Sequence, residues 1–161
     1  MTPYGKMSQT AIAALSSLAE EAGRDPPTYL GANEIAASRH LPAPAVRKVM
    51  TTLSQAGLVS SAPGPGGGFV LAKPPGRISL RDIVSLFERL DLNLSCPFGP
   101  DWCGSGPQCP LHDAIAKLRE SANLFLTQHT LADLVRQVKA TSRTPTTVRK
   151  PRPARRRTPT E

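Results

Sequence analysis

The cysteines of this chain lie in one short segment. Cys96, Cys103 and Cys109 fall within residues 95–112, and the remainder of the 161-residue sequence contains no other cysteine. Thiols needed only for packing would be scattered along the chain, whereas three in one window indicate a shared ligand. The segment between them contains three prolines and three glycines, which predicts a loop able to turn tightly around a metal centre.

The spacing of the three cysteines distinguishes among metals. Six residues separate Cys96 from Cys103 and five separate Cys103 from Cys109, so the close cysteine pair of common zinc sites is absent. Iron-sulfur clusters take thiolates from spread loops and accept an imidazole as well, which His112 could supply as a fourth ligand. The loop alone therefore predicts either an iron-sulfur cluster, of the 2Fe-2S or 4Fe-4S type, or a zinc site of three cysteines and a histidine. A metal-free set of redox thiols is a further alternative.

Length and composition limit the classes of protein that this chain can be. At 161 residues it forms one compact domain, or a small domain with an appendage. The sequence has no apolar run long enough for a membrane span and no signal-peptide pattern, and three cysteines are an odd number for a disulfide framework. We therefore expect a cytoplasmic protein. The sequence also lacks a nucleophile with its base, a phosphate loop and paired carboxylates, so we expect neither an enzyme nor a small-molecule substrate.

The net charge of +8 is concentrated at the C-terminus. Residues 141–161 hold seven of the 20 basic residues and one acid, a net charge of +6, which leaves +2 for the other 140 residues. The segment is rich in proline and threonine and has no hydrophobic periodicity, which predicts a disordered tail. Such a tail could add salt-dependent attraction to DNA phosphates or act only as a solubilising appendage.

The first half of the chain has the pattern of a winged helix-turn-helix. Apolar residues recur at helical spacing in residues 8–22, 32–39 and 44–57, with proline or glycine at the breaks. Two short strand-like runs, 58–61 and 68–71, flank a Pro-Gly-rich tip and predict a hairpin. A helix-turn-helix followed directly by a hairpin predicts a winged helix that places its second helix in the DNA major groove.

The outward residues of that second helix and the hairpin tip are the candidate DNA contacts. Arg47 and Lys48 could recognise a guanine edge or hold phosphate, and the alternative interpretation is a solvated helix face. The full set of candidates is Ala43, Ala45, Arg47, Lys48, Thr51, Gly64, Gly66 and Gly67.

The second half of the chain predicts three more helices around the cysteine loop. A capping-box pattern beginning at Ser79 predicts a helix through about Leu90. After the loop, a heptad-like series predicts a long helix whose apolar seam packs against a second copy or, alternatively, against the protein's own core; the series is Leu111, Ile115, Leu118, Ala122 and Phe125. Thr130 begins a final short helix.

These patterns predict a mainly α fold with a small β-hairpin wing and a long dimerisation helix. We expect a winged helix-turn-helix DNA-binding domain at residues 1–77. The cluster loop and dimerisation helices should occupy residues 78–140, and the disordered basic tail residues 141–161.

With its winged helix-turn-helix and its cysteine loop, the chain resembles the Rrf-two family of bacterial transcription regulators. Members of that family include an iron-sulfur cluster assembly regulator and a nitric-oxide-sensing repressor. The resemblance covers about residues 7–139 and is carried by NEIA at 33–36, AGLVSS at 56–61, GPGGGF at 64–69, ISLRDIV at 78–84, CPLH at 109–112 and TLADL at 130–134. It implies a homodimer, DNA binding by winged helices and, in cluster-bearing members, three cysteines at the positions of Cys96, Cys103 and Cys109. His112 matches the fourth ligand of the assembly-regulator type. The wing arginine that is frequent in the family is Pro63 here.

The sequence therefore predicts a homodimeric, DNA-binding transcription regulator, of repressor type, that works at the nucleoid. The state of an iron-sulfur cluster would set its affinity for double-stranded DNA, in response to redox conditions, nitric oxide or iron-sulfur status. One alternative is a regulator of the same fold that uses zinc or redox thiols. A less favoured alternative is a small iron-sulfur or metal-binding protein that does not act on DNA.

Overall fold

A computed structural model describes residues 4–90, Cys96, Phe98, Cys103 and residues 106–141. This part of the chain contains six α-helices, two strands and a 3-10 turn at Pro75–Arg77: α1 (Lys6–Glu21), α2 (Ala32–Ser38), α3 (Ala43–Gln55), β1 (Val59–Ala62), β2 (Gly68–Leu71), α4 (Leu80–Val84), α5 (His112–Gln128) and α6 (Leu131–Thr141). The predicted basic tail lies outside the described residues except for Thr141, which is the last residue of α6 and not part of a disordered segment. None of the helices in the described part is long and apolar enough to span a membrane.

Helix α1 forms the centre of the core. Apart from Gln9, its sequence between Ser8 and Ala19 is made of small and aliphatic residues, and Ala11, Leu15 and Leu18 are almost completely buried. It packs against α2, α3, α4, α6 and β2. Its buried serines are hydrogen-bonded, as where the hydroxyls of Ser17 and Ser38 lie 2.8 Å apart between α1 and α2. A buried hydroxyl with such a partner avoids most of its desolvation cost.

The predicted winged helix-turn-helix is confirmed. Helix α3 begins at Ala43, with Pro44 in its first turn where no N–H partner is needed. Its inward residues lie at helical spacing and are fully buried, and they are Val46, Val49, Met50 and Leu53. Strands β1 and β2 pair antiparallel, with Val59 opposite Leu71 and Ala62 opposite Gly68. The fold is thus mainly α with a small hairpin wing, as predicted.

Backbone contacts attach the wing to the link before α2, and they are so close that they leave no room for a side chain at two glycines. Leu30 and Phe69 exchange two backbone hydrogen bonds of 3.0 and 2.9 Å, which fixes β2 against the link before α2. A Cβ atom at Gly68 would lie 2.5 Å from the carbonyl oxygen of Leu30, and one at Gly67 would lie 2.2 Å from that of Ala62. Glycine is therefore required at both positions by close approach of the backbone.

Helix α4 is shorter than predicted. Its capping box is present, since Ser79 Oγ accepts from the Asp82 N–H at 3.1 Å and the Asp82 carboxylate accepts from the Ser79 N–H at 2.9 Å. However, the helix ends at Val84 and not near Leu90. The chain continues in tighter turns, in which the Phe87 N–H donates to the Val84 carbonyl at 3.0 Å. These turns let Phe87 and Leu90 pack against the core, so tertiary packing overrides the helical pattern.

Helices α5 and α6 differ in how they meet the core. Of the 17 residues of α5, only Leu126 is buried, whereas α6 inserts Leu131 and Val135 into the same core as α1. Backbone hydrogen bonds from Leu131 to the Ile78 carbonyl and from Leu80 to the His129 carbonyl, both 2.9 Å, tie the start of α6 to the start of α4. The domain boundaries proposed from the sequence stay predictions.

Candidate functional site

The three cysteines converge at the entrance to α5. The sulfur atoms of Cys96, Cys103 and Cys109 all lie within 4.8 Å of one another. Cys109 is buried with 5% of its surface exposed, and the other two are half-buried. All three are free thiols. The shared site expected from their sequence spacing is therefore formed in the fold.

Backbone hydrogen bonds shape the turn that brings the sulfurs together. Cys103 has a φ of +58°, in the left-handed region that non-glycine residues seldom adopt. Its N–H donates to the Pro107 carbonyl at 3.1 Å, and the Cys109 N–H donates to Cys103 Sγ at 3.3 Å. The Cys109 carbonyl in turn accepts from the N–H of His112, at 3.0 Å, where α5 begins. The sulfur cluster and the first turn of α5 are thus one hydrogen-bonded unit.

The environment separates the pKa values of two of the thiols. The Cys109 N–H and the side chain of His112 lower the pKa of Cys103 to about 7. Burial, followed by the neighbouring thiols, raises the pKa of Cys109 to about 11. Near pH 7 about half of the Cys103 side chains are therefore thiolate, while Cys109 keeps its proton, which must leave before Cys109 can bind a metal.

A cavity of about 80 Å³ lies against the three sulfurs, and its lining residues are Cys96, Cys103, Cys109, His112, Ile115, Ala116 and Arg119. His112 belongs to this lining and contacts the Cys103 thiol, although the group of mutually close ligand atoms consists of the sulfurs alone. Three converging thiols are soft donors, and soft donors suit an iron-sulfur cluster or zinc. The donor set therefore fits a metal, and His112 as the fourth ligand stays a prediction.

The candidate DNA contacts lie on α3 and the wing tip. Arg47, Lys48 and Thr51 are exposed, as are Gly64 and Gly66, whereas Ala43, Ala45 and Gly67 are half-buried. The Thr51 hydroxyl donates to the Arg47 carbonyl at 3.0 Å, so toward DNA it offers an acceptor and a methyl group. The role of these residues in binding stays a prediction.

Two further side chains were not recognised from the sequence. Asn33, on α2, accepts a hydrogen bond of 2.9 Å through Oδ1 from Nη2 of Arg47. Glu88, just before the cysteine segment, accepts through Oε1 from the Gly5 N–H at 2.6 Å and the Ser8 hydroxyl at 2.5 Å, at the first turn of α1. The two Glu88 contacts span 83 and 80 residues of sequence, and no local pattern signals them.

A helix-turn-helix with a hairpin wing, joined in one chain to a thiol cluster, defines a DNA-binding regulator with a candidate metal site. The sequence profile of the Rrf2 (Rrf-two) family, described as an iron-dependent transcriptional regulator, matches residues 4–137. The chain belongs to this family. It is accordingly a transcriptional regulator and not an enzyme, as predicted, and the alternative of a metalloprotein without a role on DNA is set aside.

Individual relatives agree with this assignment. A protein of Aquifex aeolicus named as an HTH-type transcriptional regulator is 36% identical over 104 residues, which cover 63% of this chain and 72% of that protein. Among solved structures, IscR of T. potens is similar with a TM-score of 0.67 and 24% identity, over 85% of this chain and 88% of that one. CymR of B. subtilis, titled the global cysteine regulator, has a TM-score of 0.67 and 23% identity, over 85% and 98%. At this level of identity the two structures support the fold.

Proposed function

We propose that this protein is a homodimeric transcription regulator whose affinity for operator DNA is controlled by an iron-sulfur cluster bound to Cys96, Cys103 and Cys109. One observation carries the proposal: the three sulfurs converge immediately before α5, the helix that exposes an apolar seam. We also propose that it works at the nucleoid in the cytoplasm, where reducing conditions keep thiols available for metals.

The exposed apolar side chains of α5 support the dimer. Leu111, Leu118 and Phe125, three members of the predicted seam, are 48%, 57% and 42% exposed, and neighbouring Leu124 is 50% exposed. Large apolar side chains exposed along one face of a helix are typical of an interface, because water contact with them is unfavourable. A second copy packed along this seam would bury Leu111, Leu118 and Phe125. Two α3 helices could then reach half-sites about 34 Å apart on one face of DNA.

The chain's own residues provide a route from the cysteines to the seam. A bound cluster would supply iron that reacts with oxidants and nitric oxide, and would hold the three thiolates at fixed positions. Because the Cys109 carbonyl accepts from the first N–H of α5, movement of Cys109 reaches that helix directly. Movement of α5 at the dimer seam would then change the spacing of the two α3 helices.

A second candidate is a regulator that uses a single zinc ion or a thiol switch. The specific observation in its favour is the close approach of the sulfurs, within 4.8 Å. A tetrahedral ion with zinc–sulfur bonds of about 2.3 Å requires sulfurs about 3.8 Å apart. The lowered pKa of Cys103 beside Cys109 would equally suit a thiol switch, in which an external oxidant such as a peroxide accepts two electrons and two protons as the disulfide forms. Metal analysis separates these options from a cluster.

The first experiment is an absorption spectrum of protein purified without oxygen, with iron, sulfide and zinc assayed on the same sample. Broad visible absorption with matched iron and sulfide, lost in Cys103→Ala, would support the cluster. Stoichiometric zinc, or no metal even after attempted cluster reconstitution, would contradict the cluster and support the zinc or thiol-switch regulator.

The control function is tested by DNA binding. Loaded and stripped dimers are titrated with a duplex selected by the protein itself, and a change in affinity of about fivefold or more is expected. Equal affinities for the two forms would contradict metal control while leaving DNA binding in place.

A further inference from the structure

Arg47 on α3 is held by a side chain from another helix. Its Nη2 donates to Asn33 Oδ1 at 2.9 Å, and both residues are exposed. An exposed arginine without such a contact samples many rotamers, and the entropy of ordering it opposes DNA recognition. The Asn33 amide restricts the guanidinium before DNA arrives, which lowers that cost.

The contact leaves most of the guanidinium available. Arginine carries a planar fork of N–H donors, of which the bond to Asn33 uses one. The remaining donors can form the paired hydrogen bonds to O6 and N7 of guanine that arginine makes in the major groove. Phosphate also accepts paired hydrogen bonds from arginine, so the position of Arg47 on the helix decides between the two partners. Arg47 lies in the second turn of α3, and the N-terminal part of a recognition helix is the part that contacts base edges.

We infer that Asn33 is a positioning residue that orients Arg47 to recognise a guanine in the operator. The inference rests on the proposed function, since it requires α3 to enter the major groove. It adds a base preference and assigns it to a pair of residues on two helices. Lys48, the adjacent exposed cation on α3, is the comparison residue, because an ammonium group is a point charge that suits phosphate and has no planar fork.

The test is selection of binding sites by the full-length protein from a pool of duplexes with a randomised block, in both metal states. Wild type should select a guanine at one position in each half-site. Arg47→Lys keeps the charge but loses the fork, so affinity for sites with the guanine should fall roughly 10- to 100-fold, and the base preference with it, while affinity for sites without the guanine changes little. Asn33→Ala should lower the same preference about two- to tenfold. Lys48→Ala should weaken binding to all sequences alike and reduce the salt dependence.

The outcomes separate this inference from the proposal on which it rests. Unchanged base preference in Asn33→Ala, with unchanged thermal unfolding, would overturn the positioning role. A uniform loss of affinity in Arg47→Lys and Asn33→Ala would do the same, since it would make Arg47 a phosphate contact. A wild type that selects sites without a guanine affected by Arg47 also overturns it. Absence of DNA binding by wild type in either metal state would instead refute the proposed function, and this inference with it.

Discussion

Helices α3 and α5 place their apolar residues in opposite environments. In α3 the inward residues, among them Met50 and Leu53, are fully buried in the core of a single chain. In α5 one residue is buried, and Leu118 and Phe125 face outward. The apolar face of α3 is thus buried within a single chain. Among the described residues, the region around α5 instead leaves three sulfurs close together and large apolar side chains exposed.

The largest effect should come from the core beneath the candidate DNA-binding face. Met50→Ala removes a fully buried side chain and should lower the free energy of unfolding by about 2–5 kcal/mol. Urea denaturation followed by circular dichroism measures it. If Met50→Ala lowered the free energy of unfolding by no more than a surface substitution does, α3 would not depend on the core of the single chain. The contrast between α3 and α5 would then fail.

A substitution in the apolar seam of α5 should weaken the dimer and leave the stability of the single chain nearly unchanged. Leu118→Glu places a charge on an exposed position, so monomer stability should change by no more than about 0.5 kcal/mol. The dimer should be weakened by about 2 kcal/mol or more, because a charge would be buried in the interface. Sedimentation over a concentration series measures the dissociation constant. Lys117→Glu, a neighbouring exposed position outside the seam, is the control and should leave association nearly unchanged.

A smaller effect is expected where the two halves are joined. Glu88→Gln keeps the size of the side chain but replaces the carboxylate that accepts from Gly5 and Ser8 at the start of α1. Loss of charge-assisted hydrogen bonds at a helix N-terminus should cost about 1–2 kcal/mol of stability.

Glu34→Gln is the matched control for Glu88→Gln. Glu34 also accepts a backbone N–H, from Gly31 at the start of α2, but within one exposed turn. The Glu34→Gln substitution should lower the free energy of unfolding by about 0.5 kcal/mol. Equal costs for the two variants, in the same denaturation experiment, would show that Glu88 acts only as a local cap.

The smallest expected effect is a difference in reactivity between two thiols of the metal-free protein, with no change in stability. Because the pKa of Cys103 is lowered to about 7 and that of Cys109 is raised to about 11, iodoacetamide should modify Cys103 at least about tenfold faster near neutral pH. The Cys103 rate should rise as the pH passes through about 7. Mass spectrometry of the peptides measures both rates. His112→Ala should shift the Cys103 profile to higher pH, since a hydrogen bond that stabilises the thiolate is lost.

Elements governed by local spacing could be predicted from the sequence. The 3–4 spacing of Val46, Val49, Met50 and Leu53 marked the buried face of α3 because helical geometry relates spacing to one side of a cylinder. The glycines and prolines of residues 63–67 marked the wing turn for a similarly local reason. The convergence of the cysteines followed from their confinement to one segment.

Features that depend on tertiary contacts could not be predicted. The pattern of Leu80, Ile83, Val84 and Phe87 continues at helical spacing, yet α4 ends at Val84 because the following turns give Phe87 a place in the core. The contacts of Asn33 with Arg47 and of Glu88 with Ser8 join residues on separate elements. Sequence spacing contains no information about such pairs.

The Glu88 contact has a practical consequence for handling the protein. Its carboxylate is bound at the backbone N–H of Gly5, close to the point at which a purification tag is commonly fused to Met1. A tag there could displace the start of α1 from Glu88, the contact that joins the first helix to the residues after α4. Metal content and DNA binding are therefore better measured on protein tagged after Glu161, or on protein from which the tag has been removed.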